Sequence, residues 1–305
     1  MKGFLLLLPF MACFFLLDGT YGFEEHILFQ NEDLVIRGEA HLESEAKYLG
    51  QIYPEAKGDI ENILGLRLLL KPTVLLITNQ AFFERLSGSP FVSAFAVPSE
   101  HLIVVLISPI TSKPTILNDT FKHELCHLLL HDHIRKQIIP KWLDEGVCQW
   151  ISGTLGEVLA GEGATINRID MAQRLIPLRQ LTVTFPKDKD LLLLAYKESH
   201  DFVGYVTAHY GTESLRDVLT YLKEGDDIDL AVSKALSKPF QDVQKEWIDD
   251  MRRRSEWLVW ASQHLYEILF FTAAVLTILA AVRLKLKRMK DIEPESETVS
   301  SDRDR

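Results

Sequence analysis

The chain has 305 residues, 47% of them hydrophobic, and carries a formal charge of −10 at neutral pH. So acidic a balance argues against nucleic acid as a partner. The length allows one large domain or two small ones, and three cysteines are few for a secreted chain.

Residues 1–22 read as a secretory signal peptide. Lys2 precedes an apolar run from Phe4 to Leu17, and Thr20 and Gly22 stand at the −3 and −1 spacing of a cleavage site. A lipoprotein signal ending at Cys13 is a poorer match, because the apolar run continues past the cysteine. From 39 to 64 charged and apolar residues alternate at helical spacing up to Gly65. PTVLLIT (72–78) and HLIVVLIS (101–108) are strands by their apolar, β-branched runs. The second is a candidate sheet edge for pairing with an extended peptide. Asn118, Asp119 and Thr120 offer cap residues for a helix reaching about His131. The same triplet is a glycosylation sequon, read as chance or as a hint of a bacterial host.

After Pro140 a short helix carries WLDEGVCQWIS. Helical patterns follow over 191–210, 213–223 and 228–236, with Gly211 and Gly225 as stops, and a last helix begins after Pro239. Strands mixed with helices first and helices alone later make the chain α+β. Loops at 85–100 and 153–190 have no readable pattern. Leu265 to Val282 is apolar enough for a single transmembrane helix, with Trp257, Trp260 and Tyr266 on one flank. Arg283, Lys285, Lys287, Arg288 and Lys290 on the other flank mark the cytoplasmic side. A buried helix of a soluble domain is the plainer alternative. Residues 283–305 are a polar cytoplasmic tail. Signal, anchor and tail sum to no net charge, so the outer segment 23–260 holds the whole −10.

The chemistry concentrates in TFKHELCHLLLHDH, 120–133. His123 and His127 are four apart, on one helix face, and can point nitrogens at one metal ion. Glu124 can reach a water on that ion but is badly placed as a ligand. Catalytic zinc wants three protein ligands and an open position. His131 continues the same face, and three ligands in line on one helix cannot surround an ion. His133 has the spacing of a longer motif that needs a glycine where this chain has Leu130. Glu145, on the next helix, solves the geometry. Asp144 lies about 100° round the helix from Glu145, which places it on the surface. Trp142 is a core residue wedging the two helices together. Cys126 and Cys148 flank the site; an oxidising compartment permits a disulfide, and two packed thiols are the alternative.

HELCH followed by IPKWLDEGVCQW resembles the gluzincin zinc metallopeptidases, in particular the peptidase MA-like domain of bacterial extracytoplasmic proteins. In that family W-L-x-E-G supplies the third ligand; it matches Trp142, Leu143, Glu145 and Gly146. The likeness runs from residue 40 to 250, through AYKESHDFVGYVTAHYG and Trp247. Gln149 departs from it, standing where some members place a carboxylate that orients a histidine. The resemblance implies a thermolysin-like zincin domain: a mixed sheet with an active-site helix, then a helical C-terminal part. It implies one Zn2+ ion on His123, His127 and Glu145, with Glu124 as general base and a peptide or protein substrate. It offers Tyr196 as donor to the developing oxyanion, with His200 one turn on as the substitute. A silent binding module that keeps the fold, and a zinc hydrolase acting on cell-wall peptides, are the competing functions.

Overall fold

In the computed structural model, residues 25–108, 112–153 and 174–290 are described. The signal peptide (1–22), with Cys13, and the tail beyond 290 lie outside the described residues, as does most of the loop after 153. Five strands form one mixed sheet: β1 (His26–Gln30), β2 (Val35–Gly38), β3 (Thr73–Ile77), β4 (Ala94–Val97) and β5 (Leu102–Leu106). Their order is β1-β2-β3-β5-β4. The inner pairs β2–β3 and β3–β5 are parallel, while both outer pairs are antiparallel.

The turn between β1 and β2 is set by Asn31, whose side-chain oxygen accepts from the backbone N–H groups of Asp33 (2.9 Å) and Leu34 (2.8 Å). Parallel strands need crossovers, and helices supply them. Helix α1 (Glu43–Leu64) links β2 to β3 and ends at Gly65, whose φ of 67° closes the last turn. Helix α2 (Gln80–Ser87) follows β3, capped by the Asn79 side chain. Its Phe82 and Phe83 pack on Leu75, Ile77 and Val104. The central strands are closed on both faces, and Val74, Leu76 and Ile103 are fully buried.

The predicted strands at 72–78 and 101–108 are present as β3 and β5. The second is not the sheet edge: β4 covers it, with Ala94 opposite Val105 and Val97 opposite Leu102. The edge is therefore β4. It escaped the sequence reading because four residues of half-buried AFAV carry too little period to stand out.

The rest of the first compact unit, which ends at Asp250, is helical. Helix α3 (Pro114–His133) starts earlier than its cap residues suggest, because Pro114 takes the first helical position. Then come α4 (Lys141–Ser152), α5 (Lys189–Tyr210), α6 (Thr212–Glu224), α7 (Ile228–Leu236) and α8 (Phe240–Gln263). α3 packs on α1 and β4, and α4 is held between α3 and α5. Trp142 is buried as expected; its ring meets Phe202 at 5.2 Å and stacks on Phe240 at 5.6 Å. Trp247 joins that cluster and donates from Nε1 to Asp201 at 2.9 Å.

The second unit runs from Met251. Within it, helix α9 (Leu265–Lys290) holds one stretch, Leu265–Lys287, long and apolar enough to cross a membrane. At 1.5 Å per residue its 23 residues reach about 35 Å, against roughly 30 Å of hydrocarbon. None of that stretch is buried, which a core helix of a soluble domain would be.

Glu198, on α5, is fully buried, and its carboxylate accepts the Ile176 backbone N–H at 3.0 and 3.2 Å. Burial pushes its pKa up to about 8, against the pull of that hydrogen bond. The folded-state value lies above the unfolded one, so the stability it contributes is complete below the ordinary carboxylate range. That contribution is lost as pH rises towards 8. The wild-type melting temperature should therefore fall between pH 5 and 9 more steeply than that of Glu198→Gln. The corresponding difference in unfolding free energy across that range should be on the order of a few kcal/mol. Parallel melting curves for the two chains would contradict the assignment.

Candidate metal centre

Helices α3 and α4 meet over His123, His127 and Glu145, all buried. The chain turns back after His133, and α4 begins directly after Pro140, which stands at its N-cap. His123 Nε2 and His127 Nε2 lie 2.9 Å apart. Glu145 Oε2 is 3.4 Å from the first and 3.6 Å from the second. Ligands of a tetrahedral zinc ion at 2.0–2.1 Å stand about 3.4 Å from one another, so this triangle fits one such ion. Among the described residues, Glu145 Oε2 is buried without a hydrogen-bond partner. A buried carboxylate oxygen set 3.4 and 3.6 Å from two imidazole nitrogens, with no hydrogen bond made to it, is a group that a bound cation would satisfy. Two imidazoles and a carboxylate are a donor set that zinc accepts.

Glu124 Oε1 is likewise buried and without a hydrogen-bond partner among the described residues. Glu124 lines a cleft of about 720 Å³ together with His127, Glu145 and Tyr196. Ala94, Phe95 and Ala96 of the edge strand form one wall. Tyr196 is buried on α5, its ring edge-on to Phe185 at 5.0 Å. The fold thus brings Glu124 and Tyr196 to one cleft with two of the three metal candidates, His127 and Glu145. His200 is not among the side chains lining it.

Asp144 is not the surface carboxylate that its helical position suggests. It is buried, accepting from His127 Nδ1–H at 2.8 Å and from His131 Nε2–H at 3.0 Å. Adjacent residues of α4 cross adjacent turns of α3, so Glu145 meets the His123–His127 turn while Asp144 meets the His127–His131 turn. With Nδ1 engaged by Asp144, His127 presents Nε2 to the centre. The wheel of an isolated helix hides this. The signal was the His127–His131 spacing beside Asp144-Glu145, which offers two carboxylates to one histidine ladder.

Neither of the other third-ligand candidates joins the group of His123, His127 and Glu145. His131 is engaged with Asp144, and His133 Nε2–H donates to the Arg67 carbonyl at 2.7 Å. Charges within the centre oppose burial and prevail. Burial disfavours the imidazolium of His127, yet Asp144 and Glu145 hold its pKa well above the ordinary histidine value. Burial likewise opposes ionisation of Asp144 and Glu145, but His127 keeps Asp144 low, and Lys141 with the histidines keeps Glu145 well below the carboxylate range. Cys126 and Cys148 are free buried thiols, so of the two expectations the packed pair holds and the disulfide does not. Cys148 Sγ lies 3.6 Å from His127 Nδ1, and burial pushes its thiol pKa up.

The model of the Peptidase MA superfamily matches residues 91–252, more than half of the chain. The chain belongs to the Peptidase MA superfamily. The matched stretch opens before β4 and includes α3, α4 and α5, the elements that build the cleft. Membership of the Peptidase MA superfamily fits a peptidase-like domain with a peptide or protein substrate, and buried groups able to hold a metal. No curated protein is significantly similar to the chain.

Proposed function

We propose that the protein is a membrane-anchored zinc metallopeptidase, with a thermolysin-like catalytic domain over 23–260 outside the cytoplasm. The span at 265–282 holds it, and 283–305 is a cytoplasmic tail. The observation that carries this reading is Glu145 Oε2 aimed, without a hydrogen-bond partner, at two imidazole nitrogens, with Glu124 Oε1 of the same helix turn also buried without one. His123, His127 and Glu145 hold one zinc ion. When bound, that ion lowers the pKa of water and polarises the scissile carbonyl.

The chain's own residues do the rest. Glu124 takes a proton from the attacking water as the new C–O bond forms. It returns that proton to the amine nitrogen as the C–N bond breaks. The Tyr196 hydroxyl donates to the carbonyl oxygen as negative charge develops there. Asp144 keeps His127 in the tautomer and orientation that ligation requires. Edge strand β4 offers backbone groups with which an extended peptide pairs.

Glu124→Gln tests the mechanism. It is isosteric and leaves all three ligands, so zinc should remain bound while peptide hydrolysis falls by at least about 100-fold, the scale of general-base loss. Unchanged biological activity in that variant would favour a silent binding module instead.

A further inference from the structure

The two oxygens of Glu145 have different surroundings. Oε2 faces the histidines. Oε1 accepts from Lys141 Nζ at 2.5 Å. The lysine sits four residues earlier on α4, so both side chains share a face. Its backbone N–H is fixed in turn by the Thr182 carbonyl at 2.8 Å. The Lys141 side chain also borders the cleft. A carboxylate with both oxygens free ligates through one or through both. One whose second oxygen is held by an ammonium offers one.

We propose that Lys141 is a positioning residue of the metal centre: by holding Oε1 of Glu145 it restricts that ligand to a single oxygen and keeps a coordination position open. This rests on the metal reading above and adds to it what sets the number of ligand atoms. The adjacent positive charge also draws electron density from the carboxylate, leaving the ion a stronger Lewis acid.

The test uses the full-length chain in detergent, loaded with Co2+ alone, and compares wild type with Lys141→Met and Lys141→Arg. Methionine keeps the unbranched stem and removes the cation; arginine retains a donor for Oε1. Cobalt with fewer ligands absorbs more strongly in the visible. The wild type and Lys141→Arg should show an intense band, and Lys141→Met should lose most of that intensity as Oε1 enters the coordination sphere. Zinc affinity of Lys141→Met, read by chelator competition, should be equal or tighter, since a ligand atom is gained and a repelling charge is lost. A cobalt spectrum in Lys141→Met identical to wild type would overturn the proposal while leaving the zinc reading intact. A wild-type chain that takes up no cobalt would remove both.

Discussion

Gly146→Ala is expected to be among the most damaging single substitutions in the peptidase-like domain. A Cβ at this position would lie inside contact distance of the Ser199 carbonyl oxygen, 2.8 Å from the Ser199 carbonyl carbon and 2.9 Å from Val203 Cγ2. The first two atoms are backbone of α5, which cannot rotate aside, so the helices must separate. The cost should be about 3 kcal/mol or more, at the upper end for overpacking. The harm is also local to the chemistry. Gly146 follows Glu145, so pushing α4 off α5 moves the proposed third ligand relative to His123 and His127. Denaturant unfolding should show a lower midpoint, and the chain that does fold should hold metal less tightly. Wild-type stability together with wild-type metal retention would show that α4 and α5 are not packed as described.

Glu145→Gln should remove tight metal binding with little loss of folded structure. The amide keeps the volume and one carbonyl oxygen, but a neutral oxygen is a poor partner for a divalent cation. Changes to groups that merely orient ligands cost about 10–100-fold in affinity, so losing an anionic ligand should cost at least about 100-fold. Lys141 would then face an amide instead of a carboxylate, at the half-exposed edge of the cleft, where water can serve it. Circular dichroism should match wild type, and chelator competition should not.

Much of this architecture could be read from the residues because local chemistry and tertiary structure agree there. Glycines in the left-handed region end α1 and α6 at Gly65 and Gly225, where the pattern stops. Helix α7 falls on its predicted bounds. The grouping of His123, His127 and Glu145 was legible because a metal site needs ligands from two directions, and few residues could provide the second. What failed depends on contacts that a one-dimensional pattern does not contain. β1, β2 and β4 are four or five residues long and only partly buried. Asp144 was misplaced because its environment is made by α3, not by its own helix. The Lys141–Glu145 pair was visible as an i,i+4 spacing, but such pairs are commonplace on surfaces. Only burial of Glu145 against two histidines gives this one a consequence.

The central claim is that α3 and α4 together grip a divalent cation, and elemental analysis tests it most directly. Full-length wild type and Glu145→Gln, purified side by side in detergent and dialysed against a weak chelator, should differ: one zinc per folded wild-type chain and close to none in the variant. A well-folded wild type with no tightly held transition metal, or a variant that retains as much zinc as wild type, would contradict the account.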